Sequence, residues 1–195
     1  MVVIAVTGIV VAIVGLGFRS LAASSSSVAQ DGRPRSAPTP PRDALGVSGG
    51  AVPAGATVFD DDVPAVAELD PDLLDALRRA ATDAEADGVA FVVNSGWRSP
   101  EYQARLLREA VAKYGSEAEA ARWVATPDTS PHVSGAAIDI GPSEARAWLS
   151  EHGAGYGLCQ IFGNEPWHYE LRPDAVENGC PPMYADPSHD PRMQR

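Results

Sequence analysis

Three short strand-type runs, each carrying or edged by polar residues, constrain the fold of this 195-residue chain more than any other feature. They are "VAFVVNS" (89–95), "AAIDI" (136–140) and "EPWHYEL" (165–171). Helical stretches of unequal length separate them, without a regular βαβ alternation, and this predicts an α+β domain. The strongest helix signal is "LDPDLLDALRRAATDAEADG": Asp70 caps it, Pro71 suits its first turn and Gly88 ends it. Leu73, Leu74, Leu77, Ala80, Ala81 and Ala84 form its apolar face. Ser99-Pro100 opens a second helix closed by Gly115, and Ser116 with Glu119 resembles a capping box for a short third. A further helix runs from a Ser143 cap through Trp148 and Leu149 to Gly153.

The polar residues in the strand runs carry the chemistry. Asp139 lies between Ile138 and Ile140, and a carboxylate inside an apolar strand requires a cation. No lysine is near, since Lys113 is the only one in the chain, so a metal is the natural partner. With His132 and His168, Asp139 offers two imidazoles and one carboxylate, which suits a catalytic zinc site with an open water position. The compact H-E-x-x-H motif is absent. The bland alternatives are a loop His132 satisfied by backbone and an Asp139 that caps the Gly141-Pro142 turn.

Glu165 and His168 pose a geometric problem, because residues three apart on a strand face opposite ways. Pro166 resolves it by placing Glu165 on the entering loop, with regular pairing expected from Pro166 or Trp167 onward. Trp167 and Tyr169 are then expected on the face away from His168. Glu170 shares its parity with His168 and is the rival candidate for a catalytic base.

"SPHVSGAAIDI" fits S-x-H-x-x-G-x-A-x-D, "EPWHYEL" fits E-x-W-H, and "SGWRSPEYQ" (95–103) precedes both. Together these stretches resemble the VanY-like D-alanyl-D-alanine carboxypeptidases over Ser95 to Leu171. The resemblance implies a small antiparallel sheet flanked by helices, in the fold shared with lysostaphin-type and hedgehog-type domains. It implies Zn2+ bound by His132, Asp139 and His168, with Glu165 as catalytic base and Arg98 steadying the substrate. Gln103 and Ser130 are the implied substrate-binding residues, and the substrate would be a peptidoglycan stem peptide losing its terminal D-alanine. Pro131 and Ala136 depart from the family pattern at positions that bear on substrate fit rather than on metal binding. Rival readings are an L,D-carboxypeptidase or endopeptidase on the same fold, and a non-catalytic wall-binding module. The serine route to the same reaction is excluded, because no serine stands three residues before Lys113.

Composition bounds the partners and the compartment. A net charge of -11 argues against nucleic acid and against adhesion to anionic lipid. The opening "MVVIAVTGIVVAIVGLGF" carries no charged side chain, so residues 1–23 are expected to be a signal peptide or membrane anchor, the only part in contact with membrane. The product is then extracytoplasmic, secreted or anchored, and expected to be a monomer. In that compartment Cys159 and Cys180 are expected as a disulfide, two buried unpaired thiols being the alternative. Residues 24–56, rich in Ser, Pro and Gly, are expected to be a flexible linker, 57–185 the peptidase domain and 186–195 a disordered tail. "GVSGG" (46–50) matches the G-x-S-x-G nucleophile elbow but lacks a flanking strand and helix, and is read as chance.

Overall fold

The computed structural model describes residues 45–194. The expected export segment and the first part of the expected linker lie outside these residues. Four strands, β1 (Val92–Ser95), β2 (Ala137–Gly141), β3 (Leu158–Gln160) and β4 (His168–Leu171), form one sheet in the order β1-β2-β4-β3, and every neighbouring pair is antiparallel. The helices are α1 (Pro64–Ala67), α2 (Pro71–Ala86), α3 (Pro100–Tyr114), α4 (Glu117–Ala120), α5 (Ser143–His152) and α6 (Ala175–Asn178). This is the α+β class with a small antiparallel sheet. No helix among the described residues is long and apolar enough to cross a membrane.

Local chemistry fixes the helix ends largely as expected. Asp70 Oδ1 accepts from the backbone N–H groups of Asp72 and Leu73 at 3.0 and 3.2 Å, and Pro71 follows it at the first turn of α2. Ser99 Oγ accepts from Tyr102 N at 3.1 Å, and Gly115 takes the left-handed conformation that ends α3. Ser116 Oγ accepts from Glu119 N, but α4 stops after four residues. Ser143 is the first residue of α5 rather than its cap, which is Pro142, and its hydroxyl donates to Glu144 instead.

The sheet has one apolar face and one polar face, as the period of two demands. Ile138, Ile140, Val93 and Tyr169 pack with Leu73, Leu77 and Ala80 of α2 and with Trp148 and Leu149 of α5. Asp139, His168 and Glu170 occupy the alternating positions on the other face. The register sets Asp139 directly opposite His168, and Ser95 opposite Asp139, so the ligand candidates of two strands stand side by side. β3 was not expected from sequence; its three residues pair with β4 and carry Cys159, which is bonded to Cys180.

Two expected boundaries need correction. Residues 45–56, assigned to the linker, pack on the domain: Gly49 O accepts from Ser99 N at 2.9 Å and Ala56 O from Val93 N at 2.8 Å. Gly50, at φ 105°, lies so close to Trp97 that a Cβ there would meet its carbonyl oxygen at 2.3 Å. Gly50 here serves close approach, not flexibility. "GVSGG" forms a 3-10 turn over Val47–Gly49 and is not itself a strand-to-helix turn. Residues 186–194 of the expected disordered tail are also ordered: Pro187–His189 and Pro191–Gln194 are 3-10 turns, and Asp186 and Asp190 are buried. Charge pairs hold this segment, and they leave no hydrophobic period to read.

Candidate metal centre

The loop before β2 delivers the first ligand candidate. Gly135 takes φ +73°, and a Cβ at that position would strike Glu68 O at 2.5 Å, so the turn after His132 depends on glycine. His132 Nδ1 lies 2.8 Å from Gly96 O, and Arg98 N donates to His132 O at 3.1 Å. A carbonyl only accepts, so Nδ1 carries the proton and Nε2 is left as a lone pair. That lone pair lies 3.2 Å from His168 Nδ1 and 3.4 Å from Asp139 Oδ1.

His168 is arranged in the same way from the other side. Its Nε2 lies 3.3 Å from Glu170 Oε1, and its Nδ1 lies 3.3 Å from Asp139 Oδ1. An ionised Glu170 accepts only, so Nε2 holds a proton and Nδ1 turns toward the cluster. The candidate ligand atoms of His132, Asp139 and His168 all lie within 4.8 Å of one another, and all three residues are buried. Two imidazole nitrogens and a carboxylate oxygen converging in a buried space can hold a cation between them. Two nitrogens and one oxygen suit zinc. The residues fit the metal.

The titration behaviour agrees with this reading. Burial, aided by the nearby Arg98 cation, pushes His132 down to about 4, so it is neutral and available as a ligand. Burial also opposes a charged His168, but hydrogen bonds to Asp139 and Glu170 outweigh it and raise the group to about 9. Without a metal, these carboxylates therefore hold a proton on His168, in the place where a cation would compete for the ring. Burial works against an ionised Asp139, yet His132, His168 and Arg98 keep its carboxyl well below the usual range.

Glu165 stands on the loop entering β4, as Pro166 predicts, and His168 N donates to Glu165 O at 3.0 Å in the intervening turn. Its carboxyl is buried, lies 3.7 Å from His168 Nδ1 and has no hydrogen-bond partner among the described residues. Burial pushes it up to about 7, against the favourable field of His168. A carboxyl poised near neutrality beside this cluster can both take and give a proton. Glu170 is no rival base, because His168, Arg172 and Arg192 occupy both of its oxygens. β4 itself begins at His168, and Trp167, whose carbonyl already accepts from Ile140 N at 2.9 Å, lies in the preceding turn, so alternation does not govern its side chain. This residue is half-buried and lines the same cleft as His168, whereas Tyr169 faces the core as expected.

Arg98 lies across the cluster. Its Nη2 donates to Asp139 Oδ2 at 2.8 Å, its Nε to Ser95 Oγ at 2.7 Å and its Nη1 to Gln103 Oε1 at 3.1 Å. Gln103 is fully buried and also donates from Nε2 to Ala125 O at 2.8 Å. Its side chain thus orients Arg98, a use that sequence does not reveal. Ser130 is buried at the cleft wall, and its hydroxyl makes no hydrogen bond among the described residues. The cleft has a volume of about 570 Å³ and runs from the cluster past Phe162 and Ala110 to the stacked rings of Tyr114 and Trp123. His152 and His189 lie elsewhere, the first against Trp148 and the second paired with Asp186.

Comparisons with known proteins agree on one family. Residues 66–174, more than half of the chain, match the family model VanY, D-alanyl-D-alanine carboxypeptidase. A D-alanyl-D-alanine carboxypeptidase of Enterococcus faecalis is 36% identical over 123 residues, covering 50% of this chain and 43% of the relative. The chain thus spans less than half the length of this curated relative. Among solved structures, a vancomycin-resistance D,D-pentapeptidase VanY mutant in complex with Zn(II) matches at TM-score 0.50 and 32% identity, covering 53% of this chain and 72% of the other. VanYB in complex with D-alanine-D-alanine matches at 0.52 and 31%, covering 57% and 74%. The LdcB LD-carboxypeptidase, at 0.51 and 22% identity over 66% and 71%, shares the fold. The order of the three motifs, the cluster they build and the span of the match agree, and the chain belongs to the VanY family of D-alanyl-D-alanine carboxypeptidases.

Proposed function

We propose that the protein is a zinc-dependent D,D-carboxypeptidase that removes the terminal D-alanine from peptidoglycan stem peptides outside the cytoplasm. The observation that carries this reading is the convergence of His132 Nε2, His168 Nδ1 and Asp139 Oδ1 beside the buried carboxyl of Glu165, 3.7 Å from His168 Nδ1. The Zn(II) complex of one relative and the D-alanine-D-alanine complex of another support the metal and the substrate class. The Cys159–Cys180 bond suits an oxidising compartment.

His132, Asp139 and His168 would hold the zinc. When bound, zinc supplies Lewis acidity, polarising a carbonyl and acidifying water to a pKa of about 7. Glu165 takes a proton from the attacking water at its carboxylate and returns it to the leaving amine nitrogen. Arg98 has five N–H donors, of which three are engaged by Ser95, Gln103 and Asp139. The remaining two, with the Ser130 hydroxyl, are the groups available to a substrate carboxylate. An acidic chain with one lysine needs such a local cation to receive an anionic peptide end.

The test is D-alanine release from a muramyl pentapeptide, with zinc content measured in parallel. Wild type should contain about one zinc per chain and release D-alanine, and a chelator should stop release. Glu165→Gln should keep the zinc and lose at least about 100-fold in kcat. Zinc bound without release from any muropeptide would sink the enzymatic reading, and full activity in Glu165→Gln would sink the base assignment. Release from a tetrapeptide but not a pentapeptide would transfer the reading to L,D specificity.

A further inference from the structure

Glu170 follows His168 by two residues on β4 and so shares its face. Its carboxyl is 1% exposed, and burial alone would favour the neutral form. Arg172, from the end of the same strand, donates to Oε2 at 2.7 Å. A second arginine arrives from 22 residues away: Arg192 donates from Nη1 to Oε2 at 2.7 Å and from Nη2 to Oε1 at 3.1 Å. One arginine would neutralise the carboxylate. The two-pronged contact of Arg192 does more, because a planar fork on a planar carboxylate fixes its orientation as well as its charge.

Arg192 is itself held. Asp190, 0% exposed, accepts from Arg192 Nε at 3.1 and 2.9 Å and from its backbone N at 2.9 Å. A chain of contacts therefore runs from Asp190 through Arg192 and Glu170 to Nε2 of His168, whose other nitrogen enters the metal cluster. The bearing segment lies beyond residue 174, where the family match ends, and it reaches the cleft through Pro187 and Met193.

We infer that Arg192 is a positioning residue of the metal centre: its fork on Glu170 orients the carboxylate that fixes the ring and tautomer of His168. This rests on the reading of the cluster as a zinc site. A carboxylate or carbonyl behind a metal-bound histidine sets ring orientation and basicity, and its loss weakens metal binding by about 10- to 100-fold. In this chain the duty extends one residue further out, to a segment whose sequence looks like a tail.

The experiment measures the zinc dissociation constant of the full chain by competition with a chromophoric chelator, together with the thermal midpoint of each metal-free protein. Arg192→Met should weaken zinc by about 10-fold or more. Arg192→Lys, which keeps the charge without the fork, should recover only part of that loss. Ser188→Ala removes a hydroxyl bond to Asp186 within the same segment and leaves Glu170 untouched, so its zinc affinity should stay at the wild-type value. Wild-type affinity in Arg192→Met, or an equal loss in Ser188→Ala, overturns the inference. Should Arg192→Met fail to fold, Arg192→Lys with an unchanged metal-free midpoint and unchanged affinity overturns it equally. A wild-type protein that binds no zinc overturns the metal reading itself, which is a separate outcome from a zinc-binding protein indifferent to Arg192.

Discussion

At the scale of single residues, the ligand candidates were legible because they violate their surroundings. Asp139 between two isoleucines, and His168 between aromatics, cost free energy unless something polar receives them. The groups that orient them were not legible, because Gln103 and Glu170 look like ordinary helix and strand residues until a fold brings Arg98 and Arg192 to them. Gly96 shows how tightly such support is built. Its carbonyl receives His132 Nδ1, and a Cβ on it would stand 2.0 Å from Ala65 O, the acceptor for Trp97 N. Backbone on both sides cannot yield cheaply, so Gly96→Ala should destabilise by about 1–3 kcal/mol through overpacking. It should also displace His132 and weaken zinc, which calorimetric unfolding and metal competition would register together. A variant with native stability would show that the α1 turn yields freely.

At the scale of elements, the long helices and the two central strands were readable, since caps and apolar runs leave local marks. β3, with three residues, and the segment 186–194 were not, because each is held by partners remote in sequence. The segment's anchoring can be tested through Asp186. Burial pushes this carboxyl up, but hydrogen bonds from Ser188, His189 and Arg122 outweigh it and bring the group down to about 2. A carboxyl depressed in the folded state stabilises above its ordinary pKa, and that contribution fades as pH falls through the folded value. Asp186→Asn in the metal-free protein should therefore cost on the order of 2 kcal/mol at pH 6. The gap from wild type should close between about pH 4 and pH 2. Denaturant titrations across that range decide it, and a gap independent of pH would mean that the carboxylate charge contributes nothing there.

At the scale of the whole molecule, the packed body extends beyond the 57–185 expected from sequence, because residues 45–56 and 186–194 join it through backbone bonds and charge pairs. What the domain then encloses is a centre whose candidate ligands come from three places: the loop after α4, strand β2 and strand β4. A metal held there would cross-link the two central strands of the sheet and the loop that precedes them. Binding to the folded state alone stabilises by RT ln(1 + [L]/Kd), about 4 kcal/mol when free zinc exceeds its dissociation constant a thousandfold. For a domain of this size that corresponds to a rise in Tm of roughly 10 °C. Chelation should reverse the rise, and restored zinc should return it. Glu165→Gln should show the full rise despite its expected loss of activity, because Glu165 is not among the three candidate ligands. Asp139→Asn should lose most of the rise, because an amide oxygen carries no charge to offset the cation. Scanning calorimetry of the three proteins with zinc and with chelator separates stability from catalysis. Equal midpoints in both conditions for wild type would mean that the cluster holds no metal under the conditions of the scan.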